Sequence, residues 1–403
     1  MSMQLSRRLQ QLPPSATLAM NAKVQALRAQ GRSVFNFSVG EPDFPTPERI
    51  RQAAEKAMAA GHTRYTEERG IPALREAICA RMQRDYGVTW TSEEVTVTNG
   101  GKQAIYNLFM SVLNPGDEVI IPAPFWLSYP PQVVLAEGVP VLLPTHAHER
   151  FQLDPERLAR AITPRTRAII LNHPSNPTGM GIQREVLEAV ARLAIRHDLL
   201  IVSDDLYYRL AYDGYRFESI AALSPEVKAR TVVVGGLSKA YAMTGWRVGF
   251  ALGPTPVIKA MSNLQGQTTS NTCTLSQHAA VEALMGAGGD AEIAEMVAAF
   301  SMRRSRMVEH MCAIPGLQCL KPDGAFYTFP NIEAFLGRRT PEGQVLSSSL
   351  ALASWLVEEA GVASVPGSVF GDDHHLRFSY ACDLTTLEEG MQRLGQALGR
   401  LTA

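Results

Sequence analysis

Cysteine is scarce in this chain of 403 residues: Cys79, Cys273, Cys312, Cys319 and Cys382 are scattered, odd in number, and form no C-x-x-C pair. That argues against a disulfide framework or a cysteine zinc site, and reduced thiols in a cytoplasmic protein are the simple expectation. The histidine pairs His146/His148 and His374/His375 lack the ligand spacing of a metal centre, so no metal is expected. An excess of either charge is also missing, with 38 basic residues against 39 acidic ones. The balance argues against a nucleic-acid footprint, and no polybasic tract suggests a membrane surface. No apolar stretch approaches the ~20 residues that span a bilayer. Met1–Pro14 carries Arg7 and Arg8 but no apolar core of a signal peptide.

What the chain does have is apolar content of 46%, enough for a large core and more than one domain. Met20, Val24 and Leu27 fall at helical spacing in Ser15–Gln30, which Gly31 stops. A strand at Val34–Val39 leads into the Pro-rich loop Gly40–Pro45, and Thr46-Pro47 reads as an N-cap with proline at the first helical position. A further helix is expected over Ala73–Tyr86. Strands and helices then alternate, with strands at Val95–Thr98, Glu118–Ile121, Val139–Leu143, Arg167–Leu171, Leu199–Ser203 and Thr231–Val234. Ala168–Leu171 and Leu199–Val202 are continuously apolar, the pattern of strands covered on both faces, so a mostly parallel, doubly wound α/β sheet is expected. The remainder reads as more helical: a long helix at Ala291–Cys312, two short strands around Pro322-Asp323-Gly324, a helix at Leu350–Ala360, a strand at Leu376–Tyr380, and a last helix capped by Asp383.

Ligands of such sheets bind outside the carboxyl ends of the strands, and those ends carry the informative residues. Thr231–Val234 is followed by Gly235-Gly236-Leu237-Ser238-Lys239. Lys239 is either a surface lysine or an amine held in a cleft for carbonyl chemistry. Val95–Thr98 is followed by Asn99-Gly100-Gly101-Lys102, either a tight turn or a phosphate-binding helix start; the spacing is not that of a Walker A loop. Ala168–Leu171 leads into Asn172–Gly179, a rigid loop that fixes Asn176. Leu199–Ser203 ends in Asp204-Asp205, whose side chains point to opposite faces; Asp204 is either an internal salt-bridge or cap residue, or a ligand-facing carboxylate. Lysine, aspartate, Gly-Gly turn, asparagine and Arg247 together are what pyridoxal phosphate needs.

Over nearly its whole length the sequence resembles the fold-type I, class I pyridoxal-phosphate aminotransferases, most closely the bacterial aspartate and aspartate/prephenate enzymes. The resemblance rests on Ser15-Ala16-Thr17, Gly40–Phe44, Tyr65, Gly100–Ala104, Asn176–Gly179, Ser238-Lys239-Ala240, Met243–Gly249 and Arg377–Tyr380, in that order and spacing. It implies a large domain (46–290) with a mostly parallel seven-stranded sheet, a smaller α+β domain (291–403), and an N-terminal segment (1–45) packing with the small one. It further implies Lys239 as the Schiff-base lysine and Asp204 as the partner of the pyridine nitrogen. Tyr207 and Asn176 would bond the ring's 3′ oxygen, and Trp126 would stack on the ring. Gly100, Gly101, Lys102, Ser238 and Arg247 would surround the phosphate, with Tyr65 reaching it from the second subunit of a homodimer. Arg377 would grip the substrate α-carboxylate, under the backbone of Gly40. Lys102, Thr17 and partner residues near Ser270 are candidates for reading a second carboxylate.

The implied reaction moves an amino group between an amino acid, aspartate or glutamate first, and a 2-oxo acid by ping-pong kinetics. The rivals are a C–S lyase or eliminase on the same fold, and an aminotransferase for aromatic, prephenate or specialised substrates. A regulator that only binds the cofactor would need an added DNA-binding domain, for which Met1–Pro14 leaves no room. Asp205, His173 and Asn271-Thr272 depart from the family pattern, where glutamate, serine and Asn-Pro are usual.

Overall fold

A computed structural model describes residues 6–12 and 16–402 of the chain. In chain order its strands are β1 (Phe35–Asn36), β2 (Val95–Thr98), β3 (Glu118–Ala123), β4 (Val139–Pro144), β5 (Thr166–Asn172), β6 (Leu200–Asp204), β7 (Thr231–Gly236) and β8 (Gly249–Leu252). After them come β9 (Tyr327–Thr328), β10 (Val362–Ala363), β11 (Val365–Pro366) and β12 (Leu376–Ser379). Seven strands form one sheet in the order β2-β8-β7-β6-β5-β3-β4. All neighbours are parallel except β8, which runs antiparallel to both β2 and β7. The β-branched runs Ile169-Ile170 and Val232-Val233-Val234 are buried because helices cover both faces. Helix Arg184–Arg196 lies on one face through Leu187, Val190 and Ala194, and helix Gly101–Val112 on the other through Ala104, Ile105 and Leu108.

A separate apolar core joins the two ends of the chain. Met20, Val24 and Phe37 pack with Phe300, Phe326, Phe378 and Leu387. β1 pairs with β10 in parallel, and β12 lies between β11 and β9 in a small antiparallel sheet. The residues Ala16–Ala29 form the first long helix, and Gly289–Cys312 forms the longest one.

Several local expectations are corrected. β8 was not among the strands read from the sequence: Gly249-Phe250-Ala251-Leu252 is short and directly follows the lysine loop, with no turn signature to separate them. Gly235 and Gly236 belong to β7, and a Cβ on Gly235 would lie 2.3 Å from the Phe250 ring. Those glycines make room for β8 and the residue before it. Pro47 is itself the N-cap of helix Glu48–Ala59, while the Thr46 hydroxyl donates to Ala242 O (2.6 Å) and accepts from Trp246 Nε1 (2.9 Å). Of the two strands expected around Pro322-Asp323-Gly324 only the two-residue β9 forms. The Asp323 and Gly324 amides donate instead to Gly179 O, each at 2.9 Å, which ties this turn to the Asn176 loop. Helix Ser349–Trp355 ends in a π turn, Leu356–Ala360.

Candidate active site

A cavity of about 550 Å³ opens outside the carboxyl ends of the central parallel strands and is closed from the other side by Ser38–Glu41 and Arg377. Lys239 sits three residues beyond the end of β7, and its Nζ donates to Gly40 O at 2.6 Å. Burial pulls its amine down to about 8, with the Glu41 carboxylate opposing and the Arg377 and Arg247 cations assisting. Asp204, at the end of β6, is 5% exposed. Burial raises its carboxyl to about 6, although Tyr129 Oη donates to it at 2.6 Å and the Leu206 amide at 3.3 Å. Among the described residues no cation stands at ion-pair distance from Asp204, so a buried carboxylate faces the cavity without a counter-charge. Asp205 points away from it, fully buried, and accepts from Ser203 Oγ at 2.6 Å.

Asn172 lies opposite Asp204 in the β5–β6 register, and its amide donates to the Asp204 carbonyl (3.0 Å). Its Oδ1 accepts the Asn176 N–H (2.8 Å), while Ser175 N to Met180 O (2.9 Å) and Gly179 N to Ser175 O (2.8 Å) close the loop. Asn176 is thereby fixed, and its Oδ1 accepts from Arg377 Nη1 at 3.0 Å. Arg377 Nη2 donates to Ser38 O (2.8 Å), and its buried Nε has no partner. This guanidinium is 3% exposed, its basicity lowered by burial, and no carboxylate of the described residues pairs with it. A cation kept in this way fits an anionic ligand, and its planar fork fits a carboxylate.

At the far end of the cavity Arg247 donates, among the described residues, to the Thr244 and Asn99 carbonyls (2.9 and 3.2 Å). It is held at φ +56°, a left-handed conformation uncommon for a residue other than glycine and found at ligand sites. Gly100, at φ +85°, lets that guanidinium approach: a Cβ there would lie 2.4 Å from Arg247 Nη2. Gly101 opens helix Gly101–Val112 and lines the cavity with Ser238. A helix start, a hydroxyl and an arginine without a carboxylate make an anion pocket.

Trp126 and Tyr207 also line the cavity. Lys102 Nζ lies 5.2 Å from the Trp126 ring, its basicity lowered by burial and by Arg247. Tyr65 is 89% exposed and does not line the cavity, nor does Ser270; the side chain of Thr17 lies outside the described residues. Among the described residues no three His, Cys, Asp or Glu side chains converge as a metal site would need. Four contributors went unread in the sequence: Tyr129, Asn172, Ser38 and Tyr327. Asn172 carried a signal, as the last residue of a strand beside the one bearing Asp204. Tyr129 and Tyr327 are aromatic residues in apolar surroundings, and nothing in spacing separates them from core residues.

A half-buried lysine amine and a buried carboxylate in one cleft, between an anion pocket and an unpaired arginine, define an enzyme of amine–carbonyl chemistry acting on anionic substrates. The chain belongs to the family described as aminotransferase class I and II, whose profile matches residues 32–394. It is 47% identical to the aspartate aminotransferase of Geobacillus stearothermophilus over 97% of this chain and 98% of that one. It is 45% identical to the aspartate/prephenate aminotransferase of Thermus thermophilus over 98% and 99%. The aspartate aminotransferase of Rhizobium meliloti superposes with a TM-score of 0.96 at 42% identity, with both chains fully covered. The fold is that of the fold-type I transferases, and the chain is an aminotransferase that exchanges an amino group between an amino acid and a 2-oxo acid.

Proposed function

We propose that this aminotransferase uses pyridoxal 5′-phosphate, with aspartate or glutamate as amino donor and a C4 or C5 2-oxo diacid as acceptor. The observation that carries the reading is the pair of buried, uncompensated charges on one cavity: the Asp204 carboxylate and the Arg377 guanidinium. The residues present fit the cofactor. Asp204 supplies the missing counter-charge for a protonated ring nitrogen, Gly100, Gly101, Ser238 and Arg247 suit a phosphate, and Lys239 suits an aldehyde. Bound there, the cofactor supplies an aldehyde carbon to which amines add and a cationic ring that withdraws the electron pair left at Cα.

The chain does the rest. Arg377 takes the α-carboxylate with its remaining N–H groups, under the Gly40 backbone, and so orients the Cα–H bond. Lys239, released as a neutral amine, is the base that removes the Cα proton and the acid that returns it to the cofactor carbon. A pKa drawn down to about 8 leaves a usable neutral fraction near pH 7. Tyr207 and Asn176 would bond the ring's 3′ oxygen, and Trp126, which lines the same cavity, would cover the ring face. The 89% exposure of Tyr65 suits a residue that reaches the phosphate of a partner subunit in a homodimer, and a monomer by sedimentation would leave it without that role. The proposed division into 1–45, 46–290 and 291–403 is supported by the core that joins the two chain ends, which also takes in Tyr207, Leu210 and Tyr212 from the middle segment. A cytoplasmic location accords with five free cysteines; no described helix is long and apolar enough to cross a membrane.

Asp204 gives a pH-dependent expectation for the cofactor-free protein. Its folded-state pKa of about 6 stands above the ordinary 3.8, so its stabilising contribution is complete below 3.8 and is lost as pH rises through 6. The loss amounts to about 3 kcal/mol. In urea denaturation, Asp204→Asn should gain on wild type by roughly 2–3 kcal/mol between pH 4 and pH 8 while binding the cofactor less tightly. A stability difference independent of pH would contradict a buried acid at this position.

Lys102 is the described residue proposed to read the substrate's second carboxylate, with Thr17 and the partner's surface near Ser270 as further candidates. Lys102→Ala should lower kcat/KM for aspartate roughly tenfold relative to alanine or phenylalanine, the value of one charge-assisted hydrogen bond. An unchanged preference for acidic over neutral donors would remove Lys102 from that role.

A further inference from the structure

Tyr327 enters the cavity from β9 and is completely buried. Its hydroxyl lies 2.9 Å from the Tyr207 hydroxyl. Its ring face lies 4.5 Å from the Arg377 guanidinium. An ideal Cβ on Gly40 would sit 3.0 Å from the same hydroxyl, so only glycine leaves the phenol its place. β9 pairs with the strand that carries Arg377, Ser379 opposite Tyr327, which fixes the ring beside the guanidinium through the backbone. One side chain therefore touches the residue assigned to the cofactor oxygen, the residue assigned to the α-carboxylate, and the loop whose carbonyl holds Lys239 Nζ.

The chemistry of a tyrosine pair gives this contact a direction. A phenol has one proton, so a Tyr207 that donates to the ring oxygen offers Tyr327 only its lone pair, and Tyr327 must be the donor between them. A hydroxyl that accepts a hydrogen bond becomes a stronger donor itself, the more so in a buried chain of such bonds. The Arg377 cation, which has no carboxylate partner among the described residues, is steadied by the negative face of the Tyr327 ring.

We infer that Tyr327 is a positioning residue that couples the two halves of the site: its hydroxyl sets the donor strength of Tyr207 toward the cofactor's ring oxygen, and its ring holds Arg377 flat for the carboxylate. The inference rests on the roles proposed above for Tyr207 and Arg377.

Two variants of the holoenzyme separate these contributions. Tyr327→Phe keeps the ring and removes the hydroxyl. A weaker donor on the ring oxygen leaves the nitrogen joining lysine to cofactor more basic. The pH midpoint of the bound cofactor's absorbance change should therefore rise by roughly half a unit, and the dissociation constant of succinate, a non-reacting diacid, should stay within about twofold. In a Tyr207→Phe background the same substitution should add no further shift, because the coupled partner is gone. Tyr327→Leu removes the ring as well, and succinate should bind roughly fivefold more weakly. An unchanged midpoint in Tyr327→Phe, or a shift of full size without Tyr207, overturns the hydroxyl's role. A folded Tyr327→Leu that binds succinate as wild type does overturns the ring's role. A wild-type protein that shows no cofactor band at all overturns the cofactor reading itself, and this inference with it.

Discussion

Lys239→Ala should lower the turnover of transamination by at least roughly 10²–10⁴-fold, the range over which a positioned general base acts. The cavity holds no second amine in an equivalent place. Lys102, the other lysine lining it, keeps its Nζ over the Trp126 ring, beside Arg247, while Lys239 Nζ is fixed 2.6 Å from Gly40 O. The same substitution removes the covalent anchor but leaves Asp204, Ser238 and Arg247, so the cofactor should still bind without a lysine bond. Small primary amines added in solution should restore part of the rate, because the missing function is a neutral amine near Cα and no more. Rapid-mixing absorbance with aspartate reads both effects. A Lys239→Ala protein within about tenfold of wild type would place the proton transfer on another group.

Arg377→Lys should be nearly as damaging although it preserves the charge. The guanidinium is held by Asn176 Oδ1 and the Ser38 carbonyl, one bond from each terminal nitrogen, so each keeps a second N–H for a ligand. An ammonium cannot satisfy those two acceptors and also offer two parallel donors to a carboxylate. Two charge-assisted hydrogen bonds are lost, which corresponds to a fall in kcat/KM of roughly 10²–10³-fold. Because every α-amino acid carries the carboxylate in question, the loss should be alike for acidic and neutral donors. Steady-state kinetics on both kinds decides the matter. A loss confined to acidic donors would mean that Arg377 reads the side-chain carboxylate instead.

The parts of the site carried by backbone pattern were legible before any coordinates. Lys239, Asp204 and Asn176 each sit at or just beyond the end of an apolar run, Gly101 follows a short Val/Thr strand, and the parallel-sheet rule puts such positions at the strands' carboxyl ends. Arg247 joins the set as a cation for a phosphate, whereas the role of Arg377 comes only through the family resemblance, because no spacing marks an arginine for a carboxylate. The structure adds the physical reason for them: both lack a carboxylate partner among the described residues. Contacts made by side chains across the fold were not legible. Tyr129 reaches Asp204 from 75 residues earlier, and Tyr327 meets Tyr207 from 120 residues later. β8 escaped because a strand of four residues after a loop carries too little periodicity to register. Gly235 and Gly236 stand out in the sequence, but the reason for Gly235 lies across the sheet, where the Phe250 ring of β8 fills the space its Cβ would take.

The central claim is that Lys239 holds the cofactor's aldehyde at the carboxyl end of β7. Borohydride reduction of the cofactor-loaded enzyme, followed by proteolysis and mass spectrometry, tests it most directly. One phosphopyridoxyl-lysine is expected, on the peptide containing Ser238-Lys239-Ala240, and none after pre-treatment with an amino acid that draws the cofactor off the lysine. A label on Lys102 or any other lysine, or no label on a protein that transaminates, would contradict it.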